Sequence, residues 1–552
     1  MSQRLHKVCF LWLLLLILGL SGCGGGGGDG SGSDTTSAQT IEISPTLIST
    51  ELGRATRLDL VVDGTQVRAT LSLQTPNGTE EYLIIPHSLS FASGSFGFSL
   101  IPSVSSLSSL ILSKESHPSP DLEELMTNRM AVEAWARHAE REWVRQGFQA
   151  ARPSSKTLFD TQARSVGEEI SFTFETPLTG VIRDIRAIVG AVTPGSLICV
   201  DVSSPLPTGV SQPSLSDIND FAESFERIIR PRDQFFFGDA SDINGDGKIT
   251  ILLTPLINAF GGISGFFSAD DLLSRRINPL SNEQEIFYVA FPTSRIPSEL
   301  IKATIAHEYQ HMINFNQKVL VRGNLLSGTT EETWLNEALA HLAEDLAGYG
   351  DAPSSPAELV HFEYFPAIDR ISLTAGSDTL ARRGAGYLFL RYLFEQLGGA
   401  TISASGALTD RGGAAFLRRL LSSPDIGVTN IENASQISFE ETFRNWVIAL
   451  ALDGTNLSSD PRFNYQPTQV DPITGELSGI DLRGTRRGTN GRTFTLTGPA
   501  VQLLAQSLSA SVQSTATGYF RFVAPGSSSR SSTVNFSGSA SGNLRLTVVR
   551  TK

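Results

Sequence analysis

The segment Ile305-Ala306-His307-Glu308-Tyr309-Gln310-His311-Met312 constrains this chain more than any other. Two histidines four residues apart share a face only on a helix, where both imidazoles reach one ion. Pro297-Ser298 is a helix-start signal, so the motif is predicted to lie on a helix beginning near Ser298. A satisfied polar helix face is the plainer alternative. Against it, apolar Ile305, Ala306 and Met312 bury this helix, and buried paired histidines need partners. Glu308 falls beside the pair, where it can hold and deprotonate a zinc-bound water. With 8 histidines in 552 residues, a chance match is rare.

A zinc hydrolase needs a third protein ligand. The extended metzincin pattern asks for glycine and histidine where this chain has Asn314 and Gln317, which excludes that class. The helical run from Thr333 to Asp345 offers Glu337 as the natural carboxylate, between Trp334, Leu335 and Leu339. A two-histidine, one-glutamate set leaves a position open for water. A carboxylate also offsets part of the ion's charge in a buried cleft. His341 and Glu344 lie one and two turns further along, and either can orient the ligands from behind.

A second candidate runs Asp242-Ile243-Asn244-Gly245-Asp246-Gly247. Oxygen ligands at Asp242, Asn244 and Asp246, on a loop turning at Gly247, suit calcium. An EF-hand would close with glutamate at its twelfth position, which here is Leu253, and the run after Lys248 reads as a strand. Two readings stay open: a calcium loop completed from elsewhere, or a bare hairpin turn.

Around these motifs, 40% hydrophobic and 18% charged residues make a chain that folds for most of its length. The net charge is −13, without a basic run or stripe, which argues against a nucleic-acid partner. Three cysteines exclude a disulfide framework. Cys199, inside Leu197-Ile198-Cys199-Val200, reads as a buried small hydrophobe.

Residues 1–22 read as a bacterial lipoprotein signal: Arg4 and Lys7, an apolar stretch from Val8 to Leu20, then Leu20-Ser21-Gly22-Cys23. Lipidation of Cys23 would anchor the exported chain to a membrane, the outer membrane or cell surface by analogy with Gram-negative lipoproteins. An ordinary cleaved secretory signal is the alternative. Residues 23–40 form a Gly/Ser-rich tether. Residues 41–115 alternate as in a small β domain, with Pro76-Asn77-Gly78 as a turn. In 116–164, a linker, Ser119-Pro120 opens a helix to about Gly147 with Leu122, Leu125, Met126, Met130 and Ala134 on one face. It either packs on the next domain or is a remnant of a pro-region. Residues 165–460 mix strands and helices and hold the chemistry, and 461–552 return to β alternation as a second β domain.

The runs DINGDGKITILLTPL at 242–256, HEYQHMINFN at 307–316 and WLNEALAHLAED at 334–345 resemble the hyicolysin-type neutral metalloproteases of bacteria. GAGYLFLRYLFEQLGG at 384–399 is similar to the helix that follows in glutamate-zincins. The resemblance covers about 165–455. It implies zinc, endopeptidase activity and the zincin fold, with His307 and His311 as ligands, Glu308 as base and Glu337 as the third ligand. Such enzymes often carry a transition-state tyrosine, and Tyr387 is the nearest here, although a core aromatic role also fits it. The expected fold is therefore α+β: a zincin-like metalloprotease core flanked by N- and C-terminal β-sandwich-like domains. The expected function is hydrolysis of protein or peptide substrates. Two other readings compete: a surface-binding or adhesion lipoprotein with a vestigial core, against which an intact Glu308 argues, and zinc hydrolysis of a non-peptide bond.

Overall fold

The computed structural model describes residues 43–103, 120–147, 164–321, 329–526 and 530–552. The leader, the tether and Cys23 lie outside them. Among the described residues no helix is long and apolar enough to cross a membrane. The chain is mixed α/β with several sheets.

Residues 41–115 and 461–552, read from the sequence as separate β domains, share two sheets. In one, Ser531–Ser539 lies between Gln66–Gln74 and Ser95–Pro102, antiparallel to both. In the other, Glu81–Ser88 lies between Phe520–Val523 and Leu544–Arg550. Alternate side chains, among them Leu71, Ile84, Phe98, Phe522, Phe536 and Val548, fill one core between the sheets. The physical reason is edge pairing. Each segment alone would leave long unpaired strand edges, and interleaving removes most of them. The sandwich strands of the C-terminal part begin near Gln502. Before them, two short hairpins (Gln469–Val470 with Leu477–Ser478, Thr485–Arg487 with Thr493–Thr495) precede the sandwich.

Glu81–Ser88 is buried on both faces. Tyr82 and Ile84 face the sandwich core, while Leu83 and Ile85 join the larger core of the central region. The sandwich is thereby packed onto the rest.

The central region holds a six-stranded sheet in the order Gly265–Phe267, Ile286–Val289, Ile249–Leu253, Ser196–Asp201, Val181–Val192, Glu169–Thr176. The middle three strands are parallel and fully buried, which accounts for their continuous apolar runs. Cys199 sits there as a free buried thiol, which burial pushes up to about 12, in keeping with a packing role. Gly265–Phe267 is an edge strand, antiparallel to its neighbour. Beside it runs the helix Ser298–Phe315, where the sequence signals put it. Thr333–Leu346 and Leu380–Gln396 pack next, and Gly413–Ser422 and Phe439–Leu452 complete the helical side.

The helix from Pro120 ends at Arg145. It packs against Gly265–Phe267 and the following Ala269–Leu272. Of the predicted face, the side chains of Leu122, Leu125 and Met126 lie outside the described residues and Met130 is half-buried. Ala134 is exposed, while Val132, Glu133, Ala136, Arg137 and Glu140 are buried. Periodicity of apolar residues misses this face because three of its five members are charged.

Candidate metal centre

Helical geometry brings His307 and His311 together, with the two Nε2 atoms 3.1 Å apart. The antiparallel-lying helix Thr333–Leu346 supplies Glu337 from the opposite wall. Its Oε2 is 3.6 Å from His307 Nε2, and its Oε1 is 3.8 Å from His311 Nε2. These separations suit ligands surrounding one small cation, since zinc binds nitrogen and oxygen at about 2.0–2.2 Å. His307, Glu308, His311 and Glu337 are each 2% exposed or less.

The fit to a metal rests on Glu337. Both of its carboxylate oxygens are buried and make no hydrogen bond. Leaving a charged group in that state is costly unless a cation satisfies it. Arg383 Nη1, 3.2 Å from Oε2, neutralises it only in part, because that guanidinium also pairs with Glu133 and Asp378. Burial works against a charged His307, but Glu337 and Glu344 outweigh it and raise the imidazole to about 9. Burial, with Arg137 and His307 nearby, pushes His311 well down. The pocket thus favours one positive charge among its carboxylates, and two neutral imidazoles with Glu337 could hold a divalent ion there.

Both imidazoles are held from behind. Glu344 Oε1 accepts from His307 Nδ1 at 2.7 Å, and Asn336 Oδ1 accepts from His311 Nδ1 at 3.1 Å. Each contact turns Nε2 toward the shared position. Asn314 Nδ2 donates to the same Asn336 oxygen. His341 Nδ1 lies 3.0 Å from Glu344 Oε1, so it touches the cluster through Glu344. His307, His341 and Glu344 also group closely enough to hold an ion, as do Glu133, His307 and Glu308.

Glu308 Oε2 accepts the backbone N–H of Phe267 at 2.9 Å, which ties this carboxylate to the edge strand. Burial raises its carboxyl to about 7, close to the range a general base needs at neutral pH.

Tyr387 is not brought to this cluster. Its hydroxyl donates to Asp345 Oδ2 at 2.9 Å inside a buried network with Arg391. The side chains of the 242–247 loop accept from their own backbone: Asp242 from Gly247, Asn244 from Asp246, and Asp246 from Lys248. Gly245 and Gly247 take the positive φ such a turn requires, at 77° and 70°. Glu285 Oε1 accepts from Ile243 at 2.9 Å, while its Oε2 is buried without a partner.

Sequence reasoning passed over Asn336, Arg383 and Glu133. Asn336 stands beside Glu337 in the helical motif, and that adjacency was the available signal. Arg383 and Glu133 pair across 250 residues of chain, a contact no local pattern marks.

No family model matches the chain. The chain is similar to a neutral metalloprotease. That relative, Neutral metalloprotease ShpI of Staphylococcus hyicus, is 31% identical over 194 residues. The match takes in 32% of this chain and 41% of the relative, so the chain spans less than half of the relative's length. The likeness supports a metalloprotease and, with the His/Glu grouping, a metal cofactor.

Proposed function

We propose that this chain is a zinc-dependent endopeptidase. The observation that carries the reading is the grouping of His307, His311 and a hydrogen-bond-free, fully buried Glu337 beside Glu308. Zinc held by those three residues would supply Lewis acidity at the scissile carbonyl. Glu308 takes the proton of the attacking water and returns it to the leaving amine. Glu344 and Asn336 keep the imidazoles turned toward the ion. The likeness to a protease does not favour the adhesion alternative. The test is cleavage of casein or a peptide library by the purified chain with and without a zinc chelator. Cleavage that a chelator abolishes and zinc restores supports the reading; chelator-insensitive cleavage refutes it.

We also propose calcium at Asp242, Asn244 and Asp246, with Glu285 completing the loop. The unpartnered, buried Glu285 Oε2 beside the loop supports this, and burial pushes that carboxyl up to about 7 where no cation offsets it. Calcium is expected to raise the melting temperature by binding the folded state, and the paired Asp242→Ala and Asp246→Ala substitutions should remove that rise. An unchanged calcium response in the double variant reduces the loop to a turn.

Export and anchoring through Cys23 are proposed from the sequence alone. Cys23→Ser should move the protein from the membrane to a soluble fraction. A wild-type chain already soluble would exclude the anchor.

A further inference from the structure

The metal cluster is closed. A polypeptide substrate must reach His307, Glu308 and Glu337, yet all three are buried. Beside them lies the helix Pro120–Arg145, whose Glu133 groups with His307 and Glu308. It lies along the edge strand Gly265–Phe267, where Trp135 meets Phe266 edge-on at 5.9 Å. On its other flank Arg141 Nη1 donates to Thr333 Oγ1 at 3.3 Å, at the start of the helix that carries Glu337. The helix therefore bridges the two walls of the cleft.

What it presents inward is charge. Glu133, Arg137 and Glu140 stand at helical spacing and are each no more than 3% exposed. Glu133 receives Arg383 and, at 2.8 Å, Arg129. Its carboxylate groups within 4.8 Å of ligand atoms of both His307 and Glu308. That is the space a water and a scissile carbonyl need. Arg137 pairs with Glu140 at 2.7 Å, and Glu140 is pushed up to about 7 by burial that Arg137 offsets in part. Desolvating three charged side chains is a poor way to build a permanent core, since well-packed apolar residues do so at lower cost. A cavity of about 700 Å³ opens beside the helix, lined by Arg137, Arg141 and Val144 on one side and Glu332, Trp334 and Arg382 on the other. Towards its C-terminal end the helix is held by Trp143 Nε1 donating to Asp270 Oδ1.

We infer that the helix Pro120–Arg145 is a built-in occupant of the substrate cleft that keeps the site closed until it is displaced, with Glu133 as its contact at the metal position. This rests on the zinc peptidase reading above. Displacement frees Arg383 from Glu133 and leaves it beside Glu337 and Asp378.

The experiment compares the zinc-loaded full chain with Glu133→Ala, which removes the contact at the cluster, and Trp143→Ala, which weakens seating without touching it. Three quantities are read: zinc content, the rate of zinc transfer to a chromophoric chelator, and cleavage of a short quenched peptide. Truncating an anchoring tryptophan shifts such a docking equilibrium by about tenfold or more. Both variants should keep their zinc, surrender it about tenfold faster and cleave the peptide about tenfold faster than the parent chain. Zinc transfer that is unchanged or slower in both variants overturns the inference, and a parent chain that then cleaves the peptide leaves the peptidase reading standing. Faster transfer with no peptide cleaved by any form keeps the helix as an occluding element and overturns the peptidase reading. A chain that takes up no zinc overturns both.

Discussion

Glu308→Gln is expected to lower peptide hydrolysis by about 10²–10⁴-fold while zinc stays bound, the range associated with removing a positioned general base. The amide keeps the shape of the carboxylate and can still meet the Phe267 N–H that Glu308 Oε2 accepts at 2.9 Å. What it cannot do is take a proton. Because Glu308 lies outside the His307, His311 and Glu337 grouping, its change should leave metal content untouched. Steady-state cleavage of a quenched peptide, with zinc measured by elemental analysis on the same samples, checks both halves. Near-normal turnover would remove Glu308 from the mechanism, and loss of zinc would make it a ligand.

Glu337→Ala should lose most of its zinc, whereas His341→Ala should retain it with affinity reduced by about 10–100-fold. The reason is placement. Glu337 closes a triangle with the Nε2 atoms of His307 and His311 at 3.6 and 3.8 Å. His341 instead meets Glu344, which grips His307 through Nδ1, the nitrogen on the other side of the ring. An ion bound by His307, His341 and Glu344 would forgo His311, and only Arg383, shared with Glu133 and Asp378, would then answer the oxygens of Glu337. Removing His341 loosens Glu344 and, through it, the aim of His307. Elemental analysis after dialysis against a weak chelator ranks the two variants. The reverse ranking would move the third ligand to His341.

Much of the site was legible in the chain because its spacing is local. A helix turns 3.6 residues at a time, so His307 and His311 were bound to share a face once Ser298–Phe315 was helical. Glu337 and Glu344 were legible for the same reason, as turns of one amphipathic run. Tyr387 shows the limit of that reasoning. Its helix was readable, but the direction of its hydroxyl, toward Asp345, depends on which helices flank it.

By itself, then, the sequence determined the elements whose logic lies within a few residues: the motif helix, the carboxylate-bearing helix, the turn at Gly245 and Gly247, and the alternation of the terminal strands. Only the tertiary structure decided how those elements meet. It threaded Ser531–Ser539 between Gln66–Gln74 and Ser95–Pro102, because a sheet lowers its free energy by pairing edges wherever in the chain they lie. It also turned the helix Pro120–Arg145 so that Ala134 faces outward and Glu133 inward. Apolar periodicity assumes that burial goes to hydrocarbon. Here Arg129 and Arg383 neutralise Glu133, and that compensation reverses the rule beside His307 and Glu308.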